Sequence, residues 1–322
     1  MGVRPDAPAN ETIVPGIFYE IIMPENNRSF SVPFRSKIFL PLGLIAISFA
    51  SIFIKLCAAP PLVISAYRLG IAGLILALFH CRQLRLELRL LTRREILLAL
   101  FAGLFLSFHF AFWITSLKYT SVASSVIFVT TNPIFVALAS VLFLRERLSL
   151  RLFFSILVAV GGGLLIGWGD WDLGKQTIYG DFLALLGAVM ATGYLLAGRR
   201  LRPRMSLGPY ITLVYGVAGI LLILFALWNG DSFSGYSSRD YLLFLLLALV
   251  PQLIGHTTVN WALRFFSATL VAVFILGEPI LATLLAYFLL REPVGPSIFL
   301  GGTLVLLGIY LCAREERKLM AS

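Results

Sequence analysis

The apolar residues of this chain fall into ten long runs, at 38–57, 61–80, 96–117, 121–144, 150–168, 178–198, 209–229, 240–263, 267–290 and 295–313. A helix rises about 1.5 Å per residue, so roughly 20 apolar residues cross a bilayer core. Each run therefore predicts one transmembrane helix. The breaks at Ala58-Ala59-Pro60-Pro61 and Lys118-Tyr119-Thr120-Ser121 are brief enough to predict tight helical hairpins. Lipid gives backbone N–H and C=O groups no partners, so the spans must be helical. Residues 1–35 are polar and proline-bearing and are expected to form a tail outside the membrane. No cleavable leader is expected, because the first apolar run is long enough to stay as an anchor.

Composition supports the same picture. Of the 322 residues, 59% are hydrophobic and only 13% are charged. The mean hydropathy is +0.92. A soluble chain would need far more charge on its surface. The net charge of +10 brings nucleic acid to mind, but the basic residues sit between apolar runs and form no continuous face. No nucleic-acid partner is expected. Cys57, Cys81 and Cys312 lack the paired spacing of a zinc site or a disulfide framework. Neither a metal nor another cofactor is expected.

The basic residues also set the orientation. With the N-terminus in the cytoplasm, 20 of the 26 lysines and arginines lie on inner segments. Lys55, Lys118, Lys175, Arg239 and Arg291 lie outside, as do Asp170, Asp172, Asp231 and Asp240. Arg68 alone is inside a span. The excess of inner positive charge predicts two cytoplasmic termini in a bacterial inner membrane.

The fourth and ninth runs superpose at an offset of 146. Leu117-Lys118-Tyr119 meets Leu263-Arg264-Phe265, Ser121 meets Ser267, and Asn132-Pro133-Ile134 meets Glu278-Pro279-Ile280. Leu144-Arg145-Glu146 meets Leu290-Arg291-Glu292, and Gly162 falls opposite Gly308. Tyr67 with Tyr215 and Lys55 with Arg199 need offsets of 148 and 144. The chain therefore divides into a tail at 1–35, five-helix repeats at 36–172 and 173–313, and a cytoplasmic tail at 314–322. An odd number of spans per repeat turns the second half upside-down relative to the first. The expected fold is an all-α membrane bundle of ten helices in two inverted repeats, a recurrent plan of secondary transporters.

Ser116-Leu117-Lys118-Tyr119-Thr120-Ser121, Asn132-Pro133, Arg145-Glu146-Arg147-Leu148, Gly180-Asp181 and Gly277-Glu278-Pro279 through Arg291-Glu292 together resemble the EamA family of the drug/metabolite transporter superfamily. The resemblance covers roughly residues 36–313. It implies that spans one to four and six to nine enclose a central cavity, with spans five and ten packed outside. A family member often has a less polar residue where Asn132 stands.

Ionisable groups inside membrane helices are costly and mark functional candidates. Glu278 lies mid-span and is a candidate for proton or substrate binding, or else a hydrogen-bonding strut between helices. Pro279 removes an N–H and frees the carbonyl of Ile275. Asn132 and Pro133 are the corresponding pair, with the carbonyl of Val129 freed likewise. Gln252, His256 and Asn260, spaced by four, are expected to share one helix face. His109 and Trp113 share another, and His109 falls within one residue of the repeat position of His256. The two histidines line a cavity or act as interhelical polar glue. Arg68 either snorkels to the outer interface or binds an anionic group of the substrate. Phe108, Trp113, Trp261 and Phe274 are expected as an aromatic lining. Asp181 suits a helix N-terminus, and Glu146 and Glu292 read as helix-end ion pairs. The glycine runs 161–163 and 301–302 predict close helix packing.

These features point to a secondary transporter of a small organic metabolite, such as an amino acid or nucleoside-like compound, working by alternating access as a monomer or homodimer. Proton coupling and exchange both fit. The rivals are an intramembrane enzyme and a non-transporting scaffold. No Gly-x-Ser-x-Gly, His-Glu-x-x-His or Walker pattern is present, so an enzyme is not expected.

Overall fold

The computed structural model describes residues 36–144, 148–167, 174–292 and 295–321. The expected N-terminal tail, the Arg145-Glu146-Arg147 segment and the outer Asp170 and Asp172 lie outside the described residues. Ten apolar helical spans follow in order: α1 (Ser36–Leu56), α2 (Pro61–Leu88), α3 (Arg93–Ser116), α4 (Val122–Leu144), α5 (Leu150–Gly167), α6 (Lys175–Leu201), α7 (Leu207–Trp228), α8 (Ser238–Ala262), α9 (Ala268–Leu290) and α10 (Ser297–Ala321). Nine are long and apolar enough to cross a bilayer, and α5 is a slightly shorter apolar helix. α2 extends well past the expected residue 80, and α10 continues as helix through the segment expected as a tail.

Local sequence sets the helix starts. Pro60 and Pro61 open α2, where a missing N–H costs nothing. Thr92 and Glu95 form a capping box at α3, each satisfying the other's backbone N–H. Ser121 caps α4 through Ser124 N, and Ser267 caps α9 through Leu270 N, so the same cap recurs 146 residues on.

Both α4 and α9 are broken in the middle. α4 divides into Val122–Val129 and a second segment from Asn132, and α9 into Ala268–Ile275 and a second segment from Glu278. Pro133 and Pro279 each sit in the first turn of the second segment, where their lack of an N–H forces the interruption. In α8, Ala248–His256 is π-helical around Pro251. The wider i→i+5 winding is a known accommodation of an interrupted ladder.

Packing follows an exchange of the two halves. α2 packs on α7 and α5 on α10, each span against its own equivalent. α3 packs on α6 as α8 packs on α1, and α4 on α6 as α9 on α1. At the α2–α7 crossing, a Cβ at Gly73 would stand 3.3 Å from Gly216 Cα, and one at Gly219 would stand 3.0 Å from Gly70 N. These contacts map onto each other only if Gly70 answers Gly216 and Gly73 answers Gly219. The register of these spans is therefore 146, as in α4 and α9, and the Tyr67–Tyr215 match at 148 gives way. α5 and α10 meet at Gly162, where a Cβ would lie 2.6 Å from the Gly301 carbonyl. Large apolar side chains such as Leu78, Phe79, Trp228, Phe288 and Phe299 point outward, as lipid-facing residues must.

Candidate functional site

The breaks in α4 and α9 meet at the centre of the bundle and leave a cavity between them. Its wall takes residues from α1, α3, α4, α6, α8 and α9, and it encloses about 510 Å³ of empty space, mouth included. Val129 and Asn132 flank the break in α4, and Ile275 and Glu278 flank the break in α9; all four line the cavity. The two segments that start at Asn132 and Glu278 carry no side-chain cap. Asn132 and Glu278 are each 4% exposed, and Asn132 Oδ1 and Glu278 Oε1 have no hydrogen-bond partner among the described residues.

His109 and His256 do converge. Both line the cavity, with ring centroids 6.5 Å apart. His109 Nδ1 lies 2.9 Å from the Gly187 carbonyl. A carbonyl can only accept, so Nδ1 carries the proton and donates, leaving Nε2 as an acceptor in the neutral ring. His256 Nδ1 is buried without a partner. Trp113 stacks on His109 at an interplanar angle of 12°, and its Nε1–H is also unpartnered.

The other predicted residues take different places. Of the three, His256 alone lines the cavity, whereas Gln252 and Asn260 both turn toward Tyr215 on α7. Gln252 accepts from Arg68 Nε at 2.9 Å, while Asn260 Nδ2 donates to the Tyr215 hydroxyl at 3.1 Å. Neither lines the cavity. Arg68 is wholly buried, so it does not snorkel. Its guanidinium lies 4.2 Å from the Phe110 ring centroid and 5.8 Å from that of Trp113, a layer behind the cavity wall. The electrostatic influence of Glu278 reaches it, yet neither terminal nitrogen has a hydrogen-bond partner.

Of the expected aromatic lining, Trp113 alone faces the central cavity. Phe108 packs on Phe112 and Phe225, Trp261 on Phe39 and Phe265, and Phe274 lines a small apolar groove between α1, α8 and α9. Asp181 is not at a helix start, since α6 begins at Lys175; its Oδ1 accepts from the Thr120 and Ser124 hydroxyls at 2.9 and 2.7 Å. Glu292 accepts from Val122 N at 3.2 Å and so ties the end of α9 to the start of α4.

Two residues were not singled out by sequence. Tyr194 lines the cavity, is 2% exposed, and leaves its hydroxyl unpartnered. Its position one α-helical turn from Ala191 and two from Gly187 was the available signal. Arg202 is 1% exposed and donates to the carbonyls of Asn260 and Met205. Within the basic run 199–204 nothing in the sequence distinguishes it.

The family model described as the EamA-like transporter family matches residues 36–168 and 178–314. The chain belongs to the EamA-like transporter family. Among curated EamA-related proteins, it is 25% identical over 285 residues to a protein named uncharacterized transporter YdfC of Bacillus subtilis, covering 87% of this chain and 92% of that one. It is 28% identical to the pseudopaline exporter CntI of Pseudomonas aeruginosa over 57% of this chain and 63% of that protein. It is 25% identical to mouse solute carrier family 35 member G1 over 78% of this chain and 70% of that protein. One solved crystal structure matches with a TM-score of 0.71 at 18% identity, covering 88% of this chain and 98% of the other, which supports the EamA two-repeat fold. The chain is a multi-pass membrane protein of a transporter family, and a small-molecule substrate goes with that membership.

Proposed function

We propose that this chain is a secondary transporter that carries a small organic metabolite by alternating access across a bacterial inner membrane, with both termini in the cytoplasm. One observation carries the reading: the cavity wall is built from equivalent positions at the two helix breaks, Val129 and Asn132 in one half and Ile275 and Glu278 in the other. Broken helices meeting at the interface of inverted repeats are where transporters place their substrates. The sequence relatives are named transporters, which favours transport over enzymatic turnover.

In this reading the unpartnered groups of Trp113, Asn132, Tyr194, His256 and Glu278 contact the substrate, and Glu278 exchanges a proton or the substrate itself. Arg68, with Phe110 and Gln252, backs the Trp113 side of the cavity wall. Tyr194, Leu195 and Val259, near the ends of α6 and α8, carry the space toward the side on which residues 36 and 321 lie. The structure is thus read as an inward-facing form. In proteoliposomes, Glu278→Gln is expected to keep the protein folded, slow transport, and remove its dependence on pH. An unchanged rate with an unchanged pH profile would exclude Glu278 from coupling.

A further inference from the structure

Resting on the transport reading, the geometry points to a substrate that carries a protonated amine, held between the Glu278 carboxylate and the Asn132 carboxamide oxygen. These two acceptors occupy equivalent places, each at the first residue of the segment after its break. Both are nearly fully buried, both line the central cavity, and each presents an oxygen that no described residue satisfies. A buried acceptor without a partner is costly, and a charged one more so. An ammonium placed between them supplies donors to both and a counter-charge to one.

The charges around the cavity select against the alternatives. Glu278 lies in the first turn of a helical segment, where the helix dipole favours a carboxylate. Among the described residues, no lysine or arginine lines the cavity. The one arginine nearby, Arg68, is fixed by Gln252 and the Phe110 ring, and its terminal nitrogens do not reach the carboxylate. The remaining wall is neutral and partly aromatic, with Trp113 stacked on His109, and an indole face also attracts a cation. Arg68 acts on Glu278 only from behind the wall and donates no hydrogen bond to it, so an anionic ligand would meet the carboxylate at close range and a neutral one would bring it no contact counter-ion. Trp113 Nε1–H remains as a donor for an acceptor group elsewhere on the same molecule.

Calorimetric titration of the full-length protein in detergent with 2-phenylethylamine, 2-phenylethanol and 3-phenylpropanoate tests this directly. The amine is expected to bind about tenfold or more tightly than either shape analogue. Glu278→Gln should weaken the amine on the order of tenfold or more, as expected when a buried charge pair loses one partner. Asn132→Asp should strengthen it by adding a second carboxylate, a gain that a misfolded variant cannot produce. Equal affinities for the three probes, no binding by any of them, or an Asn132→Asp variant that binds the amine no better would overturn the assignment. Counterflow of a whole-cell metabolite extract in the same preparation separates the two layers of the proposal. A solute that moves while amines fail to bind removes only the amine; a preparation that moves no solute removes the transport reading beneath it.

Discussion

At Arg68 a full guanidinium is enclosed by a carboxamide and two aromatic rings, with no carboxylate within hydrogen-bonding reach. Burying a charge is tolerable only while its few partners hold, and losing a hydrogen bond to a charged group costs about 1.5–3 kcal/mol. Gln252→Leu is therefore expected to lower the thermal unfolding midpoint sharply. The double replacement Arg68→Met with Gln252→Leu should recover much of that loss, because it removes the charge along with its partner. A double variant no more stable than Gln252→Leu alone would contradict this account of the pair. The sequence marked Arg68 as unusual because it is an arginine inside a span. It could not show which way the side chain turns, since snorkelling and burial differ only by a rotamer and by what the neighbouring helices offer. Glu278, Asn132, His109, His256 and Trp113 were legible because a polar residue in a membrane helix has few places to go. Gln252 and Asn260 do turn to one side, toward Tyr215, but His256 parts from them into the cavity, because spacing by four marks one face only of a regular α-helix and this stretch is π-helical.

That irregularity belongs to the scale of the element. Pro133 and Pro279 announced breaks in α4 and α9, and the breaks fall where a missing N–H requires them. Pro251 gave the same warning in α8, but a proline in a helix permits a kink, a break or a π-helical turn. Tertiary packing makes that choice, so the sequence alone does not reveal it. Glycines show the same division. Gly161 and Gly162 are neighbours in one glycine run, yet a Cβ at Gly161 meets nothing within 4 Å while one at Gly162 strikes the Gly301 backbone. Gly162→Leu should thus destabilise the α5–α10 pair by about 1–3 kcal/mol through overpacking. Gly161→Leu should change stability by no more than about 0.5 kcal/mol. Melting curves of the two purified variants decide it, and equal losses would show that the crossing is not where the structure has it.

For the molecule as a whole, the exchange of halves extends to its polar ends. Glu95, in the capping box of α3, pairs with Arg204 in the connection between α6 and α7. Asp240, in the cap of α8, accepts from Ala58 N at 3.0 Å in the connection between α1 and α2. Equivalent acids thus tie equivalent connections at opposite faces of the bundle, and both ties are formed in this structure. The ten spans and the inverted halves were readable from hydropathy and from a few punctuating residues. The cavity was not, because it depends on which faces of six helices meet. The most direct test of transport through that cavity is counterflow of metabolites in proteoliposomes holding either the native chain or Ala191→Trp, which fills the space from α6. At least one small metabolite is expected to accumulate with the native protein, and the correctly folded, plugged variant to lose at least about nine-tenths of this flux, a cost of roughly 1.4 kcal/mol or more on the transport barrier. Equal flux through both proteins, or none through the native one, would contradict it.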